Sequence, residues 1–115
     1  MKVLAFKTPC GNEPIHKFLK DLMKNHKEVV YYKLISALKG LEEHGLNYNE
    51  VSKNAIKYLR DGIYELRALS SRVFFFCVKG DTIILLHGFE KKTNQTPPEQ
   101  IERAIKEKNE YLRGK

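Results

Sequence analysis

Arg67 and Arg72 lie five residues apart on either side of a short turn. Lys91 and Lys92 follow an apolar segment that contains His87, and Lys57, Tyr58 and Arg60 stand just upstream of Tyr64 and Glu65. Cations gathered with an imidazole and a phenol suit cleavage of an RNA backbone by its own 2′-hydroxyl. That reaction needs a base near the 2′-oxygen, an acid near the leaving 5′-oxygen, and cations on the phosphate while charge builds. Guanidinium fits the last task, because its planar fork matches two phosphate oxygens. Lys91 or Lys92 would hold the scissile phosphate. Histidine is the side-chain type that titrates near neutrality, so His87 is a candidate acid or base, although a histidine inside a strand also serves as a hydrogen-bond anchor. Glu65 would orient an arginine, act as base, or make a plain salt bridge on a strand face. The same cations also read as a binding surface without catalysis, or as a solvated face.

These side chains must be positioned by short elements. Val3 to Phe6 reads as a strand limited by Pro9. Asn12 can cap a helix with Pro14 in its first turn, and Ile15, Phe18, Leu19, Leu22 and Met23 repeat at helical spacing. Asn25-His26 breaks that helix. A second carries Val30, Leu34, Ala37, Leu38 and Leu41 toward a C-cap at Gly45, so the two form an αα-hairpin. Leu46 to Lys53 is polar and reads as a loop. From Ile63 to Ala68 the period becomes 2, as in a two-faced strand. Ser70-Ser71 reads as a turn, Val73 to Val78 as a central strand, Lys79-Gly80-Asp81 as a second turn, and Thr82 to Phe89 as another buried strand. A two-residue turn after Arg67 would place Arg67 and Arg72 on one sheet face, and a three-residue loop would place them on opposite faces. Thr96-Pro97-Pro98-Glu99 has the form of a capping box opening a last helix along Ile101, Ala104, Ile105, Lys108 and Leu112. The expectation is α+β in the order β-α-α-β-β-β-α. It comprises a three-stranded antiparallel meander that the N-terminal strand can join, with helices packed on one side.

The chain has 115 residues, and 21 Lys and Arg against 14 Asp and Glu give a net charge of +7. One domain over 1–115 is expected at this length, and the charge points to an anionic partner. The longest apolar run, Val73 to Val78, falls short of the roughly 20 residues of a membrane span. No membrane partner is expected, and with no signal-peptide core a cytoplasmic location is. Cys10 and Cys77 form no disulfide or metal motif, and Cys77 reads as core packing. The stretch Phe74-Phe75-Phe76 reads as core rather than as a base-stacking platform. His16, His26 and His44 have no ligand-like spacing and read as solvated, so neither a metal nor a cofactor is expected. No nucleotide-binding, zinc-protease or hydrolase motif is present.

Taken in order, Gly62-Ile63-Tyr64-Glu65-Leu66-Arg67, Ser71-Arg72-Val73-Phe74-Phe75-Phe76, Leu85-Leu86-His87-Gly88-Phe89-Glu90-Lys91-Lys92-Thr93 and Gln95-Thr96-Pro97 resemble the RelE/ParE toxin superfamily. The likeness is to its HigB-like branch, often described as phage-derived host-killing proteins. It implies a toxin of a type II toxin–antitoxin pair that cleaves mRNA in the ribosomal A site without metal. It also implies a helix-turn-helix antitoxin as partner, through which alone the complex would meet operator DNA. Carried over, Arg67 and Arg72 would contact the transition-state phosphate, and Lys92 with Lys91 the substrate backbone. From their placement rather than from the resemblance, Lys57 and Arg60 would add RNA contacts, and Lys17, Lys20 and Lys24 on the first helix would serve general attraction to ribosomal RNA or the antitoxin. RelE-type chains have lysines where Tyr64 and Leu66 stand here, so acid and base stay open among His87, Tyr64 and Glu65. Two other readings remain: a ParE-like poison of DNA gyrase without RNase chemistry, and a non-catalytic RNA-binding domain.

Overall fold

The computed structural model describes residues 1–114. Strand β1 (Lys2–Ala5) is followed by helices α1 (Pro14–Lys24) and α2 (Glu28–His44) and a short 3-10 helix (Gly45–Glu50). Four strands come next, β2 (Ile56–Arg60), β3 (Ile63–Ala68), β4 (Ser71–Val78) and β5 (Thr82–Glu90), and helix α3 (Pro98–Arg113) ends the chain. The strands form one sheet in the order β1-β5-β4-β3-β2.

Three expectations about the fold are corrected. The meander has four strands, because Lys57, Tyr58 and Arg60 belong to an edge strand of their own. Asp61-Gly62 joins it to β3 with φ of 53° and 81°, the two positive values that a two-residue hairpin of this twist requires. The sheet is mixed rather than antiparallel, since β1 does join it but runs parallel to β5. Helices cover both faces, not one. Ile15, Leu22, Leu34, Ala37 and Leu41 pack on Leu66, Val73, Phe75, Ile83 and Leu85, whereas Ala104 of α3 packs with Ile63, Phe74, Phe76, Ile84 and Leu86 on the other side. The run Val73 to Phe76 is buried on both faces, and such a strand needs a cover on each.

Local details differ from the sequence expectation for identifiable reasons. Glu13, not Asn12, precedes α1; the Asn12 N–H instead closes a turn on the Thr8 hydroxyl at 3.1 Å. The β3–β4 turn is Leu69-Ser70, and Ser71 is a buried strand residue whose hydroxyl donates to the Ala68 carbonyl at 2.6 Å. Cys77 is exposed rather than core, and partial desolvation raises its thiol above the ordinary value. The expected helix break at Asn25-His26 is present, with His26 at φ 60°.

One irregularity determines which side chains reach α3. Val73 pairs with Gly88 but Phe75 pairs with Leu85, so β5 spends one residue more than β4 between these pairs. This β-bulge turns both Leu86 and His87 toward α3. It leaves Gly88 facing α1, where an added Cβ would overlap the Phe18 ring.

Candidate functional site

On the α3 face, at the Leu69-Ser70 end of the hairpin, Arg67 and Arg72 are direct cross-strand partners. The turn therefore has two residues, and both guanidiniums share a face. Like charges directly opposite on a sheet cost stability, so this pair must be compensated. Glu65, two residues before Arg67 and on the same face, supplies the compensation. Its Oε1 lies 3.7 Å from Arg67 Nε and 3.8 Å from Arg72 Nε, beyond hydrogen-bond reach of either.

Glu65 is only 1% exposed, and its other oxygen accepts the Thr96 hydroxyl at 2.6 Å. Thr96 had read as a helix cap, but α3 begins after Pro97, with no side-chain cap; its hydroxyl serves the carboxylate instead. The Arg72 side chain, 11% exposed, donates through Nη1 to the Leu69 and Ser71 carbonyls at 2.7 and 2.8 Å. Its Nε is buried without a hydrogen-bond partner. Burial lowers the Arg72 pKa from its ordinary value; Glu65 works against that shift and Arg67 adds to it. Arg67 is more open, about one-third exposed. The arrangement offers two guanidiniums a few ångströms apart, one anchored by its hairpin, with donor capacity left over for an anion.

The other candidates divide. Lys57 is exposed and stands directly opposite Glu65 on β2, on the same face. The Lys91 N–H donates to the Ser70 carbonyl at 2.7 Å, which brings this basic pair against the arginine hairpin, and Lys92 is exposed beside it. Arg60 pairs with Asp61 at 2.9 Å in the turn at the far end of the hairpin. It lies four residues from the Arg67 position along β3, about 13 Å at strand rise. Tyr64 belongs to the opposite face, stacked on Phe75 and edge-on to Tyr58; the strand's alternation makes it a poor partner for the arginines. Lys17, Lys20 and Lys24 line a groove with Arg103, outside the arginine cluster.

His87 is on the right face but takes part in another constellation. It is 1% exposed, with Nδ1 2.6 Å from Glu107 Oε1 and Nε2 2.9 Å from Gln100 Oε1. Arg103 Nε donates to the second Glu107 oxygen at 3.1 Å. Both ring nitrogens are thus used to attach α3, which places His87 as an anchor rather than as a group open to substrate. Glu107, Gln100 and Arg103 were missed in the sequence, as was Thr96. Their helical spacing at 100, 103 and 107 was a signal for one shared face, but nothing in it named β5 as the partner.

Among the described residues there is no group of three or more His, Cys, Asp or Glu able to hold a metal ion, and no helix is long and apolar enough to cross a membrane. No curated protein matches the chain. Residues 17–109, which include α2, the whole meander and the arginine pair, match the family described as phage derived protein Gp49-like (DUF891). That family is associated with the toxins of toxin–antitoxin systems. The protein belongs to the Gp49-like family of phage-derived proteins.

Proposed function

We propose that this protein is the toxin of a type II toxin–antitoxin pair and acts as a ribosome-dependent, metal-independent mRNA endonuclease. The carrying observation is the arginine pair: two like charges set directly opposite each other, sharing one buried carboxylate, with Arg72 Nε left unpartnered. A bound phosphate is the natural counter-charge for such a pair. In the proposed reaction the 2′-oxygen attacks phosphorus and the bond to the 5′-oxygen breaks. This leaves a 2′,3′-cyclic phosphate and a 5′-hydroxyl; one proton leaves the 2′-oxygen and one is taken up by the 5′-oxygen. Arg67 and Arg72 hold the phosphoryl oxygens as charge accumulates. Lys57, Lys91 and Lys92 contact the flanking backbone, and the partner is a helix-turn-helix antitoxin.

A second reading, RNA binding without cleavage, draws on the positions of Tyr64 and His87. One is on the other face and one is buried with both nitrogens engaged, so neither stands beside the arginines as acid or base. Mapping of transcript 5′ ends after induction separates the readings. Cleavage within codons only when ribosomes are present supports the proposal. Salt-sensitive RNA binding without new ends supports the second reading, and cleaved DNA complexes in a supercoiling assay, with mRNA intact, would show a gyrase poison instead.

A further inference from the structure

Thr96 has no place in the chemistry just described, yet it makes the only hydrogen bond that the buried Glu65 carboxylate accepts among the described residues. That bond fixes Oε2 at 2.6 Å and leaves Oε1 almost equidistant from the two arginines, at 3.7 and 3.8 Å. A free carboxylate would not rest there. It would close on one guanidinium to ordinary charge-assisted hydrogen-bond distance, about 2.8 Å, and the buried, unpartnered Arg72 Nε is the available donor.

Thr96 can resist this because its own backbone is held. Pro97 and Pro98 follow it, fixing φ at two consecutive residues. The segment is tied at its start by the Lys91 N–H on Ser70, and beyond its end by Gln100 and Glu107 on His87.

We infer that Thr96 is a positioning residue for the arginine pair: through Glu65 it holds a single counter-charge between Arg67 and Arg72, so that neither is neutralised by a close ion pair and both remain available to one phosphate. This inference rests on the reading of the pair as a phosphate site. Loss of the hydroxyl would let Glu65 collapse onto Arg72, where it would compete with the phosphoryl group.

The test compares wild type, Thr96→Val, Thr96→Ser, Glu65→Gln and the Thr96→Val/Glu65→Gln double variant. The readouts are mRNA cleavage on programmed ribosomes, the arginine Nε–H resonances in solution, and thermal unfolding. Thr96→Val should lower kcat about 10-fold, the scale of a small misplacement of a reacting group, with KM within about 2-fold. It should also shift the Arg67 and Arg72 Nε–H signals without lowering the melting temperature, and Thr96→Ser should restore both. Because Thr96 acts through Glu65, the double variant should be no slower than Glu65→Gln alone. Unmoved Nε–H signals, or losses that add in the cycle, would overturn the inference. Thr96→Ala stands in if valine disturbs packing; failure of both to fold would make Thr96 a structural residue and overturn it as well. An inactive wild type would instead refute the proposed endonuclease, and the Nε–H signals would then decide the inference by themselves.

Discussion

The face of the sheet under α3 holds two polar clusters of similar composition and opposite character. Around His87 both ring nitrogens and both Glu107 carboxylate oxygens have partners, the Gln100 carboxamide and the Arg103 guanidinium included, at 2.6 to 3.1 Å. Around Glu65 the distances to the arginines stretch to 3.7 and 3.8 Å, and a buried Nε has no partner. A closed network of buried polar groups specifies packing; an open one keeps interaction capacity for something that is not part of the chain. The residue types most suggestive of catalysis, an imidazole next to a carboxylate, are here the buried and partnered ones. The candidate site is the one that is incompletely satisfied.

Three substitutions test whether the two clusters differ in role as they do in geometry. Arg72→Ala should have the largest effect, lowering ribosome-dependent cleavage about 100- to 1000-fold, the usual cost of removing a donor to developing charge, while the protein stays folded by circular dichroism. Cleavage at the parental rate would remove the open cluster from the chemistry. Glu107→Ala should act on stability instead. Breaking a buried charged network costs about 3 kcal/mol, read as a lower urea midpoint at unchanged slope, with activity per folded molecule retained. If cleavage were lost at unchanged stability, the roles of the two clusters would be reversed. Arg103→Ala should be the mildest. Its side chain is half exposed, and an exposed partner of this kind contributes less than about 1 kcal/mol. A loss as large as that of Glu107→Ala would show that the network acts as a single unit.

Much of this was legible in the sequence. The helical stripes, the αα-hairpin and the buried Phe74-Phe75-Phe76 follow from periodicity, whereas the sequence left open whether Arg67 and Arg72 share a face, which the two-residue turn decides. What escaped has physical causes. Strand β2 is an edge strand, and Lys57, Tyr58 and Arg60 are exposed, so it lacks the apolar alternation that announces a strand. The Asp61-Gly62 pair was its one local signal. Thr96 and Glu99 fit the pattern of a capping box, but the same hydroxyl can serve a distant carboxylate 31 residues away in sequence. Cys77 continues an apolar run past the cover provided by the helices, and composition does not show where that cover ends. The expectation of helices on one side failed for a similar reason: helix order along the chain says little about which side each helix takes.

The extra residue in β5 has a consequence for how this chain tolerates length changes. It works as a phase shift in the strand, giving Leu86 and His87 to one face and Gly88 to the other. Deletion of one residue there would leave strand pairing possible, yet only one of Leu86 and His87 could then face α3. Either Phe74 loses its apolar neighbour or Glu107 loses its imidazole. A chain shortened by one residue at this point would therefore keep its sheet and seat its last helix, and the Thr96 strap before it, less firmly.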